Sequence, residues 1–97
     1  MGVSQAPLTD YQRGVLTGLG VATPALARLY EMACHRPGIS VAEAYADWPA
    51  ATPRVRISRY ANQLEDIGAV VCVQERRANS TVRALYARPS PPAQENP

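Results

Sequence analysis

Between residues 53 and 67 the apolar side chains recur at helical spacing. At about 100° per residue, Ile57, Tyr60, Ala61, Leu64 and Ile67 share one face, which must be the core face. Val55, Ser58, Arg59, Asn62 and Asp66 fall opposite, with Arg54 and Arg56 on the flanks. Thr52-Pro53 is a start signal for this helix and Gly68 its stop. Upstream, Tyr11, Val15, Leu16 and Leu19 predict a helix over 10–19, capped by Thr9 or Asp10. Gly14, Gly18 and Gly20 weaken it, by about 1 kcal/mol each relative to Ala. Thr23-Pro24 opens a stronger helix over 24–35, with Leu26, Leu29, Tyr30, Ala33 and Cys34 as its stripe; Pro37-Gly38 ends it. Ser40 and Glu43 form a capping-box pair that opens a short helix over 41–47, with Val41, Ala44 and Tyr45 inward.

Beyond Gly68 the period changes from helical to alternating. Val70, Cys72 and Gln74 alternate with Val71, Val73 and Glu75, which predicts a strand over 69–76. Residues 77–81 read as a polar turn, and 82–88 as a return strand with Ala84 and Tyr86 on one face and Leu85 on the other. The expected fold is α+β: three to four helices followed by a two-stranded β-hairpin. It occupies residues 10–88, between a flexible N-terminus (1–9) and a disordered Pro-rich tail (89–97).

Length and composition narrow the classes. Ninety-seven residues are enough for one core, and 46% hydrophobic against 19% charged residues indicates a folded domain rather than a disordered chain. No apolar run approaches the roughly 20 residues of a membrane span. The start of the chain has no basic region followed by an apolar stretch, so no secretory signal is expected. Cys34 and Cys72 are too few for a disulfide framework and are expected as free thiols in a reducing cytoplasm. All ten basic residues are Arg, and seven of them lie in residues 54–88 against three acids. The basic charge is thus concentrated on the last helix and the hairpin, as a polyanionic partner requires.

The chemistry on that helix fits such a partner. Arginine reaches guanine and phosphate, Asn reaches adenine, Ser reaches phosphate, and a small apolar group meets the thymine methyl. The candidate DNA-contact residues are Arg54, Val55, Arg56, Ser58, Arg59 and Asn62 on the helix, and Arg76, Arg77, Asn79 and Ser80 on the hairpin. Arg83 stands behind them on phosphate. A short helix, a connection and a second helix with a basic front have the form of a helix-turn-helix, and a hairpin beside it forms a wing.

The stretch Ile57-Ser-Arg-Tyr-Ala-Asn-Gln-Leu-Glu-Asp-Ile-Gly-Ala-Val70 resembles the recognition-helix signature of MarR-like and related winged-helix regulators. Leu64, Glu65 and Gly68 are the most telling matches, and the resemblance covers about residues 24–88. It implies a winged helix-turn-helix fold, double-stranded DNA as partner and transcriptional regulation, most simply repression, in a prokaryotic or phage-infected cytoplasm. MarR-like regulators are longer and dimerise through terminal helices. Here the one counterpart is the helix over 10–19, where Tyr11, Val15 and Leu19 at i, i+4, i+8 fit either packing within the chain or a homodimer seam. Arg56 stands where many such regulators carry a small hydroxyl residue, so their base preference does not transfer.

Other chemistries find little support. Cys34, His35 and Cys72 lack metal-ligand spacing, so neither a metal nor a cofactor is expected. One His, no nucleophile elbow and no Gly-rich phosphate loop leave no candidate catalytic residue, and no enzyme is expected. The rival to DNA binding is a winged-helix protein-interaction module (an antagonist, adaptor or assembly factor). It is suggested by the modest net charge of +2 and by Asp66 on the exposed face. Trp48 beside Pro49 is expected as a plug between helices.

Overall fold

The structure is a computed structural model that describes residues 7–91. Those residues form α1 (Asp10–Ala22), α2 (Pro24–His35), β1 (Ile39–Ser40), α3 (Val41–Ala46), α4 (Arg54–Asp66), β2 (Val70–Arg77) and β3 (Ser80–Ala87). The architecture is α+β, with four helices and an antiparallel sheet in the order β1-β3-β2. The expected hairpin is present as β2–β3, and β1 adds a third strand to it. The added strand is two residues long, pairing Ile39 with Leu85 and Ser40 with Ala84. So short a strand has no alternation to read and is created by its tertiary partner.

The helices begin and end largely for the reasons written in the sequence. Ser40 and Glu43 close the capping box, the Ser40 N–H donating to Glu43 at 2.9 Å and the Glu43 N–H to Ser40 at 3.0 Å. Gly68, at φ +78°, ends α4 in a Schellman motif: Ala69 N–H donates to the Leu64 carbonyl and Gly68 N–H to that of Glu65. Ile67 is the C-cap, its N–H still donating to the Gln63 carbonyl at 3.1 Å, and its side chain is 59% exposed rather than on the core face. Tyr45 is likewise 47% exposed, because the six-residue α3 buries only Val41 and Ala44. Thr52 does not cap α4; its N-cap is Pro53, which offers no side-chain cap.

The core is built from Leu29, Tyr30 and Ala33 of α2, Ile57, Ala61 and Leu64 of α4, Ile39 of β1 and Val70 and Leu85 of the hairpin. Ala84 and Leu85 are both fully buried although they face opposite ways, because β3 is the central strand. Trp48 is half-buried and stacks on Tyr60, with ring centroids 6.0 Å apart at 25°, and so joins the end of α3 to α4. Helix α1 lies on α2 and runs three residues past its expected end.

The ends of the described chain are tied together. Thr9 caps α1 reciprocally with Gln12, and its hydroxyl donates to the Pro89 carbonyl at 2.7 Å. The buried Gln12 amide donates to the Arg88 carbonyl at 3.1 Å, and Leu8 packs on the core. The fastened part thus reaches beyond the expected limits of 10 and 88. The rest of the expected flexible start (1–6) and tail (92–97) lies outside the described residues.

Candidate nucleic-acid interface

Helix α4 presents the basic face. Arg54, Val55, Arg56, Arg59 and Asn62 are exposed and Ser58 is half-buried, while Ile57, Ala61 and Leu64 anchor the opposite side. Among the described residues, Arg54, Arg56 and Arg59 make no ion pair and no side-chain hydrogen bond. Their position is unfavourable for the helix itself. The first turn holds no acid, the N-cap is proline, and Arg54 and Arg56 sit at the positive end of the helix dipole. Val55 is 65% exposed between them. These arginines and this apolar side chain therefore do not serve the fold.

The hairpin turns tightly. Arg77 pairs with Ser80, so the loop is only Ala78-Asn79, with Ala78 at φ +51°. The polar stretch read as a turn over 77–81 is therefore mostly ladder, since Ser80 and Thr81 join β3. Alternation then separates the hairpin arginines. Arg76 and Arg83 share the face with Cys72 and Leu85, the face that Arg83 carries to α4 by reaching Glu65 at 3.2 Å. Arg76 is exposed and makes no ion pair among the described residues; Asn79 and Ser80 are exposed at the tip.

Arg77 goes the other way, which corrects its expected place at the tip. Its guanidinium donates to Glu43 at 3.2 Å, to Glu75 at 2.8 Å and to the Gly38 carbonyl at 2.5 Å. Tyr86 donates to the other oxygen of Glu75, and Arg36 reaches Glu43 at 3.6 Å and Asp47 at 2.6 Å. This network ties the hairpin to the start of α3 and the end of α2. The Tyr86 hydroxyl and the Arg77 guanidinium hold the Glu75 carboxyl below the usual carboxylate range. The Ser40 N–H, the Ser40 hydroxyl and the two guanidiniums do the same for Glu43.

The proposed dimer residues are largely used at home. Val15 and Leu19 are half-buried against the molecule's own core, and Tyr11 is half-buried. Burial pushes the Cys34 thiol up to about 11, and burial also raises Cys72, so both are poor thiolates. Among the described residues no group of three His, Cys, Asp or Glu is placed to hold a metal, and no helix is long and apolar enough to cross a membrane. A groove of about 350 Å³ is lined by Glu31, Met32, His35, Arg36 and Asp47, none of them from α4.

Comparison with protein-family models, curated proteins and solved structures returns no match. Two residues of this surface were not among the expected contact residues. Gln63 is exposed on α4, as a helical wheel shows. Glu65 is engaged by Arg83, and that this arginine, 18 positions away, is its partner is something no local pattern carries.

Proposed function

We propose that this chain is a winged helix-turn-helix protein that binds double-stranded DNA in a sequence-specific way. In this reading it acts as a transcriptional regulator, most simply a repressor. The observation that carries the reading is the set of three unpaired, exposed arginines on the solvent side of α4, Arg54 and Arg56 on its opposite flanks and Arg59 between them, while four other arginines are paired with acids of the chain. The element order supports it. From α2 onward it runs helix, short strand, helix, helix, strand, strand, the order of a winged helix-turn-helix, with α4 as recognition helix and β2–β3 as wing.

In this arrangement Arg54, Val55, Arg56, Ser58, Arg59 and Asn62 meet the major groove and its walls, and Arg76, Asn79 and Ser80 meet the backbone beside it. Arg77 positions the wing from behind rather than touching DNA. A homodimer on a two-fold site is the natural form. Its seam must draw on what α1 leaves open, such as Val21 at 85% exposure, because Val15 and Leu19 already serve the core.

The test is fluorescence anisotropy of labelled random duplex DNA across a salt series, followed by selection from a randomised pool. Binding should weaken steeply with salt, and a palindrome should be enriched. The Arg56→Ala/Arg59→Ala variant should keep its melting curve and lose at least about tenfold in affinity for the selected site, as loss of a base or phosphate contact implies. Unchanged affinity in that variant overturns the role given to α4. No binding at low salt overturns DNA binding and leaves protein contact as the better reading.

A further inference from the structure

Glu65 is the acid that stands between the helix and the wing. Around the α4 axis it lies within about 40° of Arg54 and Ser58, on the flank that looks toward the hairpin. Its carboxylate holds Arg83 at 3.2 Å, and Arg83 is the hairpin cation nearest the helix along the face it shares with Arg76. The Arg83 side chain is 23% exposed and that of Glu65 is 47% exposed, so the pair sits at the surface, within reach of a phosphate. Asp66, the next acid, points about 100° away around the axis and pairs with nothing among the described residues.

We infer that Glu65 is a specificity-determining residue that latches Arg83 away from DNA until a matching site releases it. The inference rests on the DNA-binding reading above. An exposed guanidinium–carboxylate pair is weak in water, so a backbone phosphate can replace Glu65 around Arg83. Once released, Glu65 is a bare carboxylate beside a polyanion. In the registers of random DNA that place no amino donor on this flank, its repulsion opposes binding. On a site that offers a cytosine amino group along this flank it accepts a hydrogen bond, and the opposition is relieved. The latch therefore weakens binding everywhere except where the base sequence answers it.

The experiment is a double-mutant cycle with Glu65→Gln and Arg83→Ala, read by anisotropy on random duplex and on the duplex selected by the wild-type protein. Glu65→Gln keeps the shape and the amide can still sit against Arg83, but the charge that holds the arginine is gone. In the Arg83 background, random-duplex affinity at 100 mM salt should rise roughly fivefold, and the salt slope should steepen by about 0.9, the signature of one more phosphate contact. Affinity for the selected duplex should rise less, so the ratio between the two sites shrinks. In the Arg83→Ala background the slope change should vanish. Equal tightening in both backgrounds makes Glu65 a plain repelling charge and overturns the latch. Wild-type affinities in Glu65→Gln overturn any role for Glu65 while leaving DNA binding intact. No binding by the wild-type protein at low salt overturns the DNA reading and the latch together.

Discussion

Two kinds of glycine show how much a single residue can carry. Gly38 sits at φ +87°, and a Cβ there would lie 2.9 Å from the Tyr86 hydroxyl oxygen and 3.2 Å from its ring. Its N–H donates to the Leu85 carbonyl at 2.8 Å and its carbonyl accepts from Arg77, so the backbone cannot swing away cheaply. Gly38→Ala should lose about 2–3 kcal/mol of stability in a denaturant titration, from backbone strain and the clash together. Gly18 is the opposite case. It is helical, and nothing lies within 4 Å of where a Cβ would be. Gly18→Ala should gain up to about 1 kcal/mol in the same titration. The sequence alone treats Gly38 as a helix stop and Gly18 as a weak point. The first role is deeper than local pattern reveals, because Tyr86 approaches from 48 positions away.

At the level of elements, the hairpin is braced by charge. Glu43 serves the α3 cap and the Arg77 contact at once, and Glu75 receives both Arg77 and Tyr86. Both carboxyls are held below their ordinary range, so the folded state binds their protons less readily than the unfolded chain. Their contribution is full above the unfolded carboxylate range, begins to be lost below about pH 5, and is gone only once pH has fallen through the lowered folded-state values. The denaturation midpoint should therefore fall over that range, and Glu43→Gln should show a shallower fall. Helices α2, α3 and α4 were legible within a residue or so, because their stripes, caps and stops are local. The brace was not. Arg77 belongs to an Arg-rich turn in sequence, and only the strand register decides that Arg76 and Arg77 face opposite ways. Strand β1 was hidden for the same reason, since its two residues are defined by Leu85 and Ala84.

Across the whole molecule, charge is divided by role. Acids of the chain hold Arg13, Arg36, Arg77 and Arg83, while Arg54, Arg56, Arg59 and Arg76, together with Arg28 on α2 and Arg88 beyond β3, have no acid partner among the described residues. The sequence showed that arginine was concentrated after residue 53. It did not show which arginines were left over once the fold had used its share, because that depends on pairs 11 to 34 positions apart.

The joint between Thr9 and Pro89 has a further consequence. Entry and exit of the domain meet at one hydrogen bond, so the order in which its elements are threaded matters less than their neighbours do. A chain with a short Gly/Ser bridge from residue 90 to residue 7, which keeps Leu8 on the core, and new ends in the exposed Pro49–Ala51 loop should fold to the same core, with an unchanged far-ultraviolet spectrum and a cooperative melt. Such a rearranged protein would begin with its arginine helix and finish on the Trp48 stack, the same object read from a different starting point.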